Sequence, residues 1–312
     1  MKRAIMRRGF VFLWILVLTS FSSVVFGQDL PVREKLTMIA DNVYSYVAVK
    51  DTSPSNSFGA NAGIVIGRDG ILVIDTLVSS KEARRFIRDI RSVSDKPIKY
   101  VVNTHYHLDH TFGNSEFVKT GATIISHINC RNNLENRGEG ALKNAKNYGL
   151  TDADMQGTEI SIPSLTFEKT MEIDLGNQKV ELIYAGPAHT DGSIMVYLPR
   201  EKILFTGDIL FTDYHPFMAD GDIEGWVKVL DYIMSLDVET IIPGHGPVSS
   251  KKDVVDMKDY IIDFDKKAKE LAAKSDDVEY ITSEIKKALP ARSHGDGLIP
   301  MNIRMKYMKG KK

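Results

Sequence analysis

The sequence predicts an α/β fold, and three features of the chain support this prediction. Its 312 residues, of which 43% are hydrophobic, are enough to bury a sizeable core. Short apolar runs of strand length alternate with stretches whose apolar residues recur at helical spacing. These strands and helices recur in two successive groups. We therefore expect one large α/β domain, alone or with an appendage.

The first group contains one helix among short strands. Its predicted strands lie at residues 43–49, 62–66, 71–75, 100–103 and 122–126. The turn Arg68-Asp69-Gly70 predicts that the second and third strands form a hairpin. Residues 81–93 carry apolar side chains at helical spacing with charges on the opposite face, so we predict a helix there.

The second group follows a polar stretch, residues 129–161, in which we predict partial helix. Its predicted strands lie at residues 165–175, 180–185, 195–198, 203–205 and 240–242. A helix is predicted at 226–236. Beyond the last strand the pattern changes to charged helix, with a second helix predicted at 281–289. We therefore assign residues 28–250 to the α/β domain and residues 251–312 to a C-terminal helical extension.

The N-terminus has the composition of a secretory signal peptide. Four basic residues precede an uncharged stretch from Gly9 to Gly27 whose second half contains small residues. We predict that residues 1–27 are removed and that the mature protein is periplasmic or secreted. An uncleaved membrane anchor is the alternative, because the stretch approaches the roughly 20 residues that a spanning helix needs. The pair Arg7-Arg8 leaves twin-arginine export open beside general secretion.

Charge and cysteine content narrow the function classes. The formal net charge is −1 and the body of the chain has no basic block, so we expect a small-molecule substrate rather than nucleic acid. The single cysteine, Cys130, excludes an intrachain disulfide, and we predict a structural role for it. Neither feature predicts an oligomeric state.

Five of the eight histidines and two aspartates fall into four short motifs that predict a dinuclear metal site. Imidazole and carboxylate groups together suit zinc and neighbouring first-row metals. The motifs are His105-Tyr106-His107-Leu108-Asp109-His110, Gly-Pro-Ala-His189, Thr-Gly-Asp208 and Pro-Gly-His245.

The spacing within the first motif suits two metal ions. His105 and His107 point the same way if the backbone is extended, because side chains alternate along a strand. Asp109 and His110 follow at once and can reach a neighbouring ion as the chain turns. A metal ion lowers the pKa of a bound water to about 7, which provides hydroxide at neutral pH.

These motifs resemble the signature of the metallo-β-lactamase superfamily over about residues 39–248. The resemblance implies a four-layer αββα sandwich with the metal site on loops at one edge of the sheets. It implies that His105, His107 and His189 bind one metal. It also implies that Asp109, His110 and His245 bind the second, with Asp208 as the bridging carboxylate.

The function that the resemblance implies is an exported hydrolase with two Zn²⁺ per chain, although iron and manganese stay open. Metal-bound hydroxide would attack the carbonyl of an ester, a thioester, a lactone or an amide such as a β-lactam. Asp109 would be the catalytic residue that orients the nucleophile. An iron-dependent oxidoreductase similar to persulfide dioxygenases is the alternative, and a non-catalytic metal-binding protein is a third interpretation.

The substrate stays open because the chain departs from each named branch of the superfamily. Zinc β-lactamases with a three-histidine site usually carry Cys where this chain has Asp208 and Lys where it has Phe211. The lactone-cleaving branch typically has Tyr at the Phe211 position. In the glyoxalase II branch, Pro stands where Asp191 follows His189-Thr190 here.

Three residues are predicted to line the substrate pocket. They are Phe211, His215 and Phe217. The alternatives are that the aromatic side chains only pack the loops and that His215 lies in a surface loop. Asp75 resembles a position in this family that orients a ligand, and His294 could fold back over the site.

Overall fold

Two β-sheets lie face to face in the computed structural model, which describes residues 35–308. The predicted signal peptide, residues 1–27, lies outside the described residues. Between residues 35 and 308, no helix is both long enough and apolar enough to cross a membrane.

The first sheet contains seven strands in sequence order. They are β1 (Thr37–Ala40), β2 (Val43–Ser45), β3 (Gly63–Ile66), β4 (Ile71–Ile74), β5 (Ile98–Val102), β6 (Thr123–His127) and β7 (Leu165–Phe167). Neighbours from β1 to β4 pair antiparallel, and neighbours from β4 to β7 pair parallel. The parallel half brings the carboxyl ends of β4 and β5 to one edge, where Asp75 and His105 follow them.

The second sheet contains five strands in the order β12-β11-β10-β9-β8. Their bounds are β8 (Thr170–Asp174), β9 (Lys179–Ile183), β10 (Met195–Leu198), β11 (Ile203–Phe211) and β12 (Thr240–His245). All neighbours pair antiparallel except β11 and β12, which run parallel. This parallel pair brings Asp208 in β11 and His245 at the end of β12 to the same edge.

Helices cover the outer face of each sheet. The described helices are α1 (Ser80–Val93), α2 (Leu108–Thr111), α3 (Asn114–Val118), α4 (Ile128–Lys143), α5 (Ile223–Ser235), α6 (Lys251–Ala272), α7 (Val278–Ala288) and α8 (Leu298–Asn302), which continues into a π-helical turn, Ile303–Tyr307. The Ser79 side chain caps α1 by accepting a hydrogen bond from the Glu82 N–H. Ser250 and Asp253 form a capping box at the start of α6.

The layers follow from where the apolar side chains meet. Between the sheets, Val65 and Leu72 of the first sheet pack in one cluster with Leu182 and Val196 of the second. Phe86 of α1 and other side chains of α1 and α3 cover the outer face of the first sheet. Helices α5 to α8 cover the outer face of the second. This arrangement confirms the predicted αββα sandwich with helices at its C-terminal end.

Several element bounds differ from the prediction. Residues 165–175, predicted as one strand, form β7 and β8, which lie in different sheets. The apolar residues keep the same alternating phase on both sides of the bend at Glu168 and Lys169, with Lys169 as the single interruption, so the pattern reads as one strand. The strand predicted at 43–49 ends at Ser45, whereas the strand predicted at 203–205 continues to Phe211. Strand β1 and helix α8 have no counterpart in the prediction, because short segments carry too little periodicity.

Candidate metal centre

Seven side chains from the four motifs meet at one edge of the two sheets. They are His105 and His107 after β5, Asp109 and His110 in α2, His189 between β9 and β10, Asp208 in β11, and His245 at the end of β12. All seven motif residues that the sequence singled out are therefore brought together. Their positions on strand ends place a polar cluster on a rigid scaffold.

Local backbone geometry explains how two of these motifs are built. Gly207 adopts a left-handed conformation with φ +50°, and a Cβ there would overlap the Thr104 side chain. A Cβ on Gly244 would overlap the carboxylate of Asp208. Glycine at 207 therefore allows β11 to approach the loop after β5, and glycine at 244 allows β12 to approach Asp208.

The seven side chains divide into two groups with metal-ligand geometry. In the first group, one ligand atom from each of His105, His107, His189 and Asp208 lies within 4.8 Å of the others. The second group contains Asp109, His110 and His245, with the same spacing. Three or four nitrogen and oxygen donors converging in this way are typical of zinc sites.

Asp208 faces both groups with different oxygen atoms. Its Oδ2 lies 3.4 Å from Nε2 of His189 and 3.7 Å from Nε2 of His105. Its Oδ1 lies 3.1 Å from Nε2 of His110 and 3.5 Å from Nε2 of His245. The carboxylate thus stands between the groups, which is the position of a bridging ligand.

Buried atoms without partners indicate that these groups suit metal ions. Nε2 of His105, Nε2 of His110 and Oδ1 of Asp208 are buried and make no hydrogen bond to any described residue, because the 3.1 Å contact between the last two lacks the angles of a hydrogen bond. Buried polar atoms nearly always have a partner, because leaving one unpaired costs about 1–3 kcal/mol. The same three atoms point into the two groups, so cations bound there would satisfy them.

Acceptors outside the two groups orient the imidazoles. Nδ1 of His110 donates to Oδ2 of Asp75 at 2.8 Å. Nδ1 of His189 donates to the Phe217 carbonyl at 3.0 Å, and Nε2 of His107 donates to Oδ2 of Asp220 at 3.0 Å. Each of these bonds selects which ring nitrogen faces the centre.

Asp75 is held firmly in its orienting position. It is 2% exposed and accepts hydrogen bonds from the backbone N–H and the hydroxyl of Thr104, at 2.8 and 2.7 Å. Its backbone is left-handed, with φ +60°, which is strained for a residue other than glycine. The structure therefore places Asp75 behind His110, where the family resemblance would put a ligand-orienting carboxylate.

Burial and neighbouring charges shift the pKa values of the cluster in opposite directions. Burial lowers the pKa of His189 to about 3. Burial alone would also lower the pKa of His245, but the carboxylates of Asp208 and Asp109 raise it to about 9. Burial would raise the pKa of Asp208, and the surrounding histidines, led by His110, hold it well below its usual range. A cation that binds at His245 must therefore displace a proton.

Two of the three predicted pocket residues, Phe211 and Phe217, lie against histidines of the metal centre. Phe211 is 2% exposed, and its ring stacks parallel to that of His245 with centroids 5.1 Å apart. The ring of Phe217 lies 5.5 Å from that of His107, next to the centre. Both aromatic side chains thus contact metal-centre histidines.

The surface-loop interpretation of His215 is wrong, because its side chain is buried. Nδ1 of His215 hydrogen-bonds with the Tyr260 hydroxyl at 2.6 Å, and Nε2 lies 3.3 Å from Oδ1 of Asp296. These contacts tie His215 to the C-terminal helices. His294 does fold back towards the site: its ring stacks on Tyr214 at 5.3 Å, and Tyr214 lies 5.1 Å from His245.

Three residues beside His107 were not singled out by sequence reasoning. Oδ2 of Asp220 accepts hydrogen bonds from His107 and from the Tyr106 hydroxyl, the latter at 2.5 Å. Nη1 of Arg137 donates to the Tyr106 hydroxyl at 2.7 Å. Asp220 is 113 residues from His107, and no local pattern marks it. Tyr106, inside the first motif, was the one signal available.

Comparison with known proteins identifies the family. The sequence profile of the metallo-beta-lactamase superfamily matches residues 56–245, more than half of the chain and all seven centre residues. The chain belongs to the metallo-beta-lactamase superfamily. The family resemblance seen in the motifs is therefore confirmed.

Three curated relatives have different named activities. A 2,4-dinitroanisole O-demethylase subunit alpha from Nocardioides sp. (strain JS1661) is 25% identical over 217 residues, which span 69% of this chain and 56% of that protein. A linear primary-alkylsulfatase from Pseudomonas sp. (strain ATCC 19151) is 26% identical over 222 residues, spanning 61% and 42%. A metallo-beta-lactamase type 2 from Elizabethkingia meningoseptica is 22% identical over 249 residues, spanning 78% and 91%. The chain thus matches about half the length of the first two.

A solved structure supports the fold. The metallo-beta-lactamase from Pontibacter korlensis aligns with a TM-score of 0.59 and 20% identity, covering 74% of this chain and 99% of that one. The superfamily sandwich is thus shared at low sequence identity.

Proposed function

We propose that this chain is an exported, dinuclear zinc hydrolase that cleaves a carbonyl substrate such as an ester, thioester, lactone or β-lactam. The observation that carries the proposal is the position of the Asp208 carboxylate, which directs one oxygen towards each group of histidines. A carboxylate in that position matches a pair of ions better than a single ion.

The ligand assignment follows the two groups. His105, His107 and His189 would hold one zinc ion. Asp109, His110 and His245 would hold the other, and Asp208 would link them. When bound, the ions would polarise the substrate carbonyl and lower the pKa of a water molecule to about 7.

Asp109 is the residue proposed to act on the nucleophile. Its Oδ2 lies 3.3 Å from Nε2 of His245 and 3.5 Å from Nε2 of His110. Burial would raise its pKa, but these two imidazoles lower the pKa below the usual range. A carboxylate that stays ionised can accept a hydrogen bond from the attacking water and orient it.

The metal content of an Asp208→Ala variant tests the proposal. We expect the wild type to bind two zinc ions per chain and to hydrolyse at least one member of a panel containing nitrocefin, a thioester and a lactone. Asp208→Ala should bind less zinc and lose turnover by at least about 100-fold, because the bridge is removed. Asp237→Asn is the control, since Asp237 is exposed and its carboxylate forms an ion pair with Lys202 at the surface.

Two results would contradict the proposal. Full zinc content and turnover in Asp208→Ala would remove the bridging role. A single iron ion together with oxygen consumption would favour the alternative, a persulfide dioxygenase-like oxidoreductase. The wild-type seven-residue set argues for two ions, because all seven side chains converge in two groups.

Export is proposed from the composition of residues 1–27. Expression of the full chain in a Gram-negative host should yield a periplasmic protein whose N-terminus is Gln28. Mass spectrometry of the purified protein checks this. A protein that is recovered in the membrane fraction and still begins at Met1 would instead indicate the uncleaved anchor.

A further inference from the structure

The candidate metal centre meets solvent at His107 and Asp109. The most exposed of its seven side chains are those of His107 and Asp109, at 13% and 11%, whereas the other five are at most 5% exposed. Asp220, which accepts the hydrogen bond from His107, has a 30% exposed side chain. A substrate that reaches the centre is therefore expected to pass His107 and Asp220.

Arg137 of α4 stands at this entrance. Its Cζ lies 5.3 Å from the centroid of the Tyr106 ring, and its Nη1 donates to the Tyr106 hydroxyl at 2.7 Å. Nη1 also lies 3.6 Å from Oδ1 of Asp220. The centroid of the Tyr106 ring in turn lies 4.6 Å from that of the His107 ring. Only the Tyr106 side chain therefore links the guanidinium to a residue of the centre along this path.

One nitrogen of the Arg137 guanidinium, Nη1, donates a hydrogen bond to the protein, and the other two are available to a ligand. The Arg137 side chain is 56% exposed, and within residues 35–308 its Nε and Nη2 make no protein hydrogen bond. Oδ2 of Asp220 is already shared by Tyr106 and His107. Arg137 thus presents a preordered pair of N–H donors to solvent beside the entrance, and such a fork matches a carboxylate or sulfonate.

We propose that Arg137 binds an anionic group of the substrate and gives the centre a preference for anionic compounds, carboxylates first among them. This inference rests on the proposed function. It also accounts for the absence of a cation at Phe211, which is buried against His245 and carries no charge. The cation stands instead on α4, beside Tyr106 and Asp220.

Binding of a matched pair of thiols tests the inference without turnover. The probes are 3-mercaptopropionate and its methyl ester, whose thiols bind zinc and which differ in the carboxylate. Affinities for zinc-loaded protein are measured by isothermal titration calorimetry. We expect the wild type to prefer the carboxylate by about 10-fold or more, as a charge-assisted hydrogen bond would provide.

Two variants and a control separate recognition from structure. Arg137→Met should lose the preference for the carboxylate while its affinity for the ester stays unchanged. Arg137→Lys should keep part of the preference, because the charge remains but the fork is lost. Lys143→Met is the control, because it removes an exposed charge from the end of the same helix, and it should behave as the wild type.

The outcomes distinguish this inference from the proposed function. Equal affinity of the wild type for both thiols, or no binding of either, overturns the role of Arg137. An equal loss of both affinities in Arg137→Met also overturns it, since Arg137 would then act only on the structure of the centre. Zinc content and hydrolysis of neutral substrates by the wild type test the proposed function separately, because neither depends on this preference.

Discussion

At the scale of single residues, the centre depends on acceptors that do not themselves belong to it. Asp75, the Phe217 carbonyl and Asp220 each accept a hydrogen bond from one imidazole of the two groups. Each bond leaves the other ring nitrogen directed at the centre. Such outer partners commonly contribute 10- to 100-fold to metal affinity.

Asp220→Asn tests this dependence at His107. The amide is nearly the same size as the carboxylate but carries no charge, so it holds the His107 ring less firmly. We expect zinc affinity to fall by about 10-fold or more, measured by competition with a chelating dye. Asp222→Asn is the control, because Asp222 caps α5 and asparagine caps a helix equally well. Equal zinc affinity of Asp220→Asn and the wild type would show that this contact is not needed.

At the scale of elements, the C-terminal helix α8 holds the loop that follows β11. Asn302 at the end of α8 is 1% exposed. Its Oδ1 accepts a hydrogen bond from the Met218 N–H at 2.7 Å, and its Nδ2 donates to the Pro216 carbonyl at 2.8 Å. The two bonds flank Phe217, whose carbonyl accepts from His189. Asn302 therefore positions a residue that orients a metal-centre imidazole.

Asn302→Leu should weaken both folding and metal binding. The variant leaves the buried Met218 N–H and Pro216 carbonyl unpaired, which costs about 1–3 kcal/mol per group. We expect a lower free energy of unfolding in urea and lower zinc affinity, together with an altered visible spectrum of the cobalt-substituted protein. Asn147→Leu, at an exposed position, is the control. An unchanged cobalt spectrum with lower stability would limit Asn302 to a structural role.

At the scale of the whole molecule, residues 251–308 share a core with the second sheet. Phe264 and Met257 of α6 lie in one apolar cluster with Trp226 of α5 and Leu210 of β11. Leu210 lies within three residues of Asp208. The helices at the C-terminal end thus pack beneath the strand that carries the bridging carboxylate, so we expect this packing and the centre to be lost together.

Phe264→Ala tests that coupling. Phe264 is 1% exposed, and truncating a buried phenylalanine costs about 3–5 kcal/mol. We expect a single urea transition, shifted to lower urea, with zinc release at the same midpoint. Ile262→Ala on the same helix is the control, because Ile262 is 41% exposed and its substitution should change stability by less than about 1 kcal/mol. Zinc release at a midpoint separate from unfolding would show that the helices form an independent unit.

The elements that were predicted well have strong local periodicity. The helix predicted at 81–93 is α1, Ser80–Val93, and the hairpin predicted around Arg68-Asp69-Gly70 is the pairing of β3 with β4. The single strand predicted at 165–175 was wrong, because the chain crosses there from one sheet to the other. The change of sheet leaves only Lys169 as a break in the alternating pattern, since the apolar residues before and after it keep the same phase.

Local pattern and composition in the sequence by themselves determined the α/β class, the superfamily and the seven residues of the candidate centre, because short motifs carry these features. Only the tertiary structure decided that the two oxygens of Asp208 face different groups of ligands. It also decided which residues of the centre are exposed to solvent. It brought Asp220, Arg137 and Asn302 into contact with residues of that centre or with their neighbours. Their contacts join residues that lie 31 to 114 positions apart. Such contacts exist only when packing of the two sheets and the outer helices brings distant segments together.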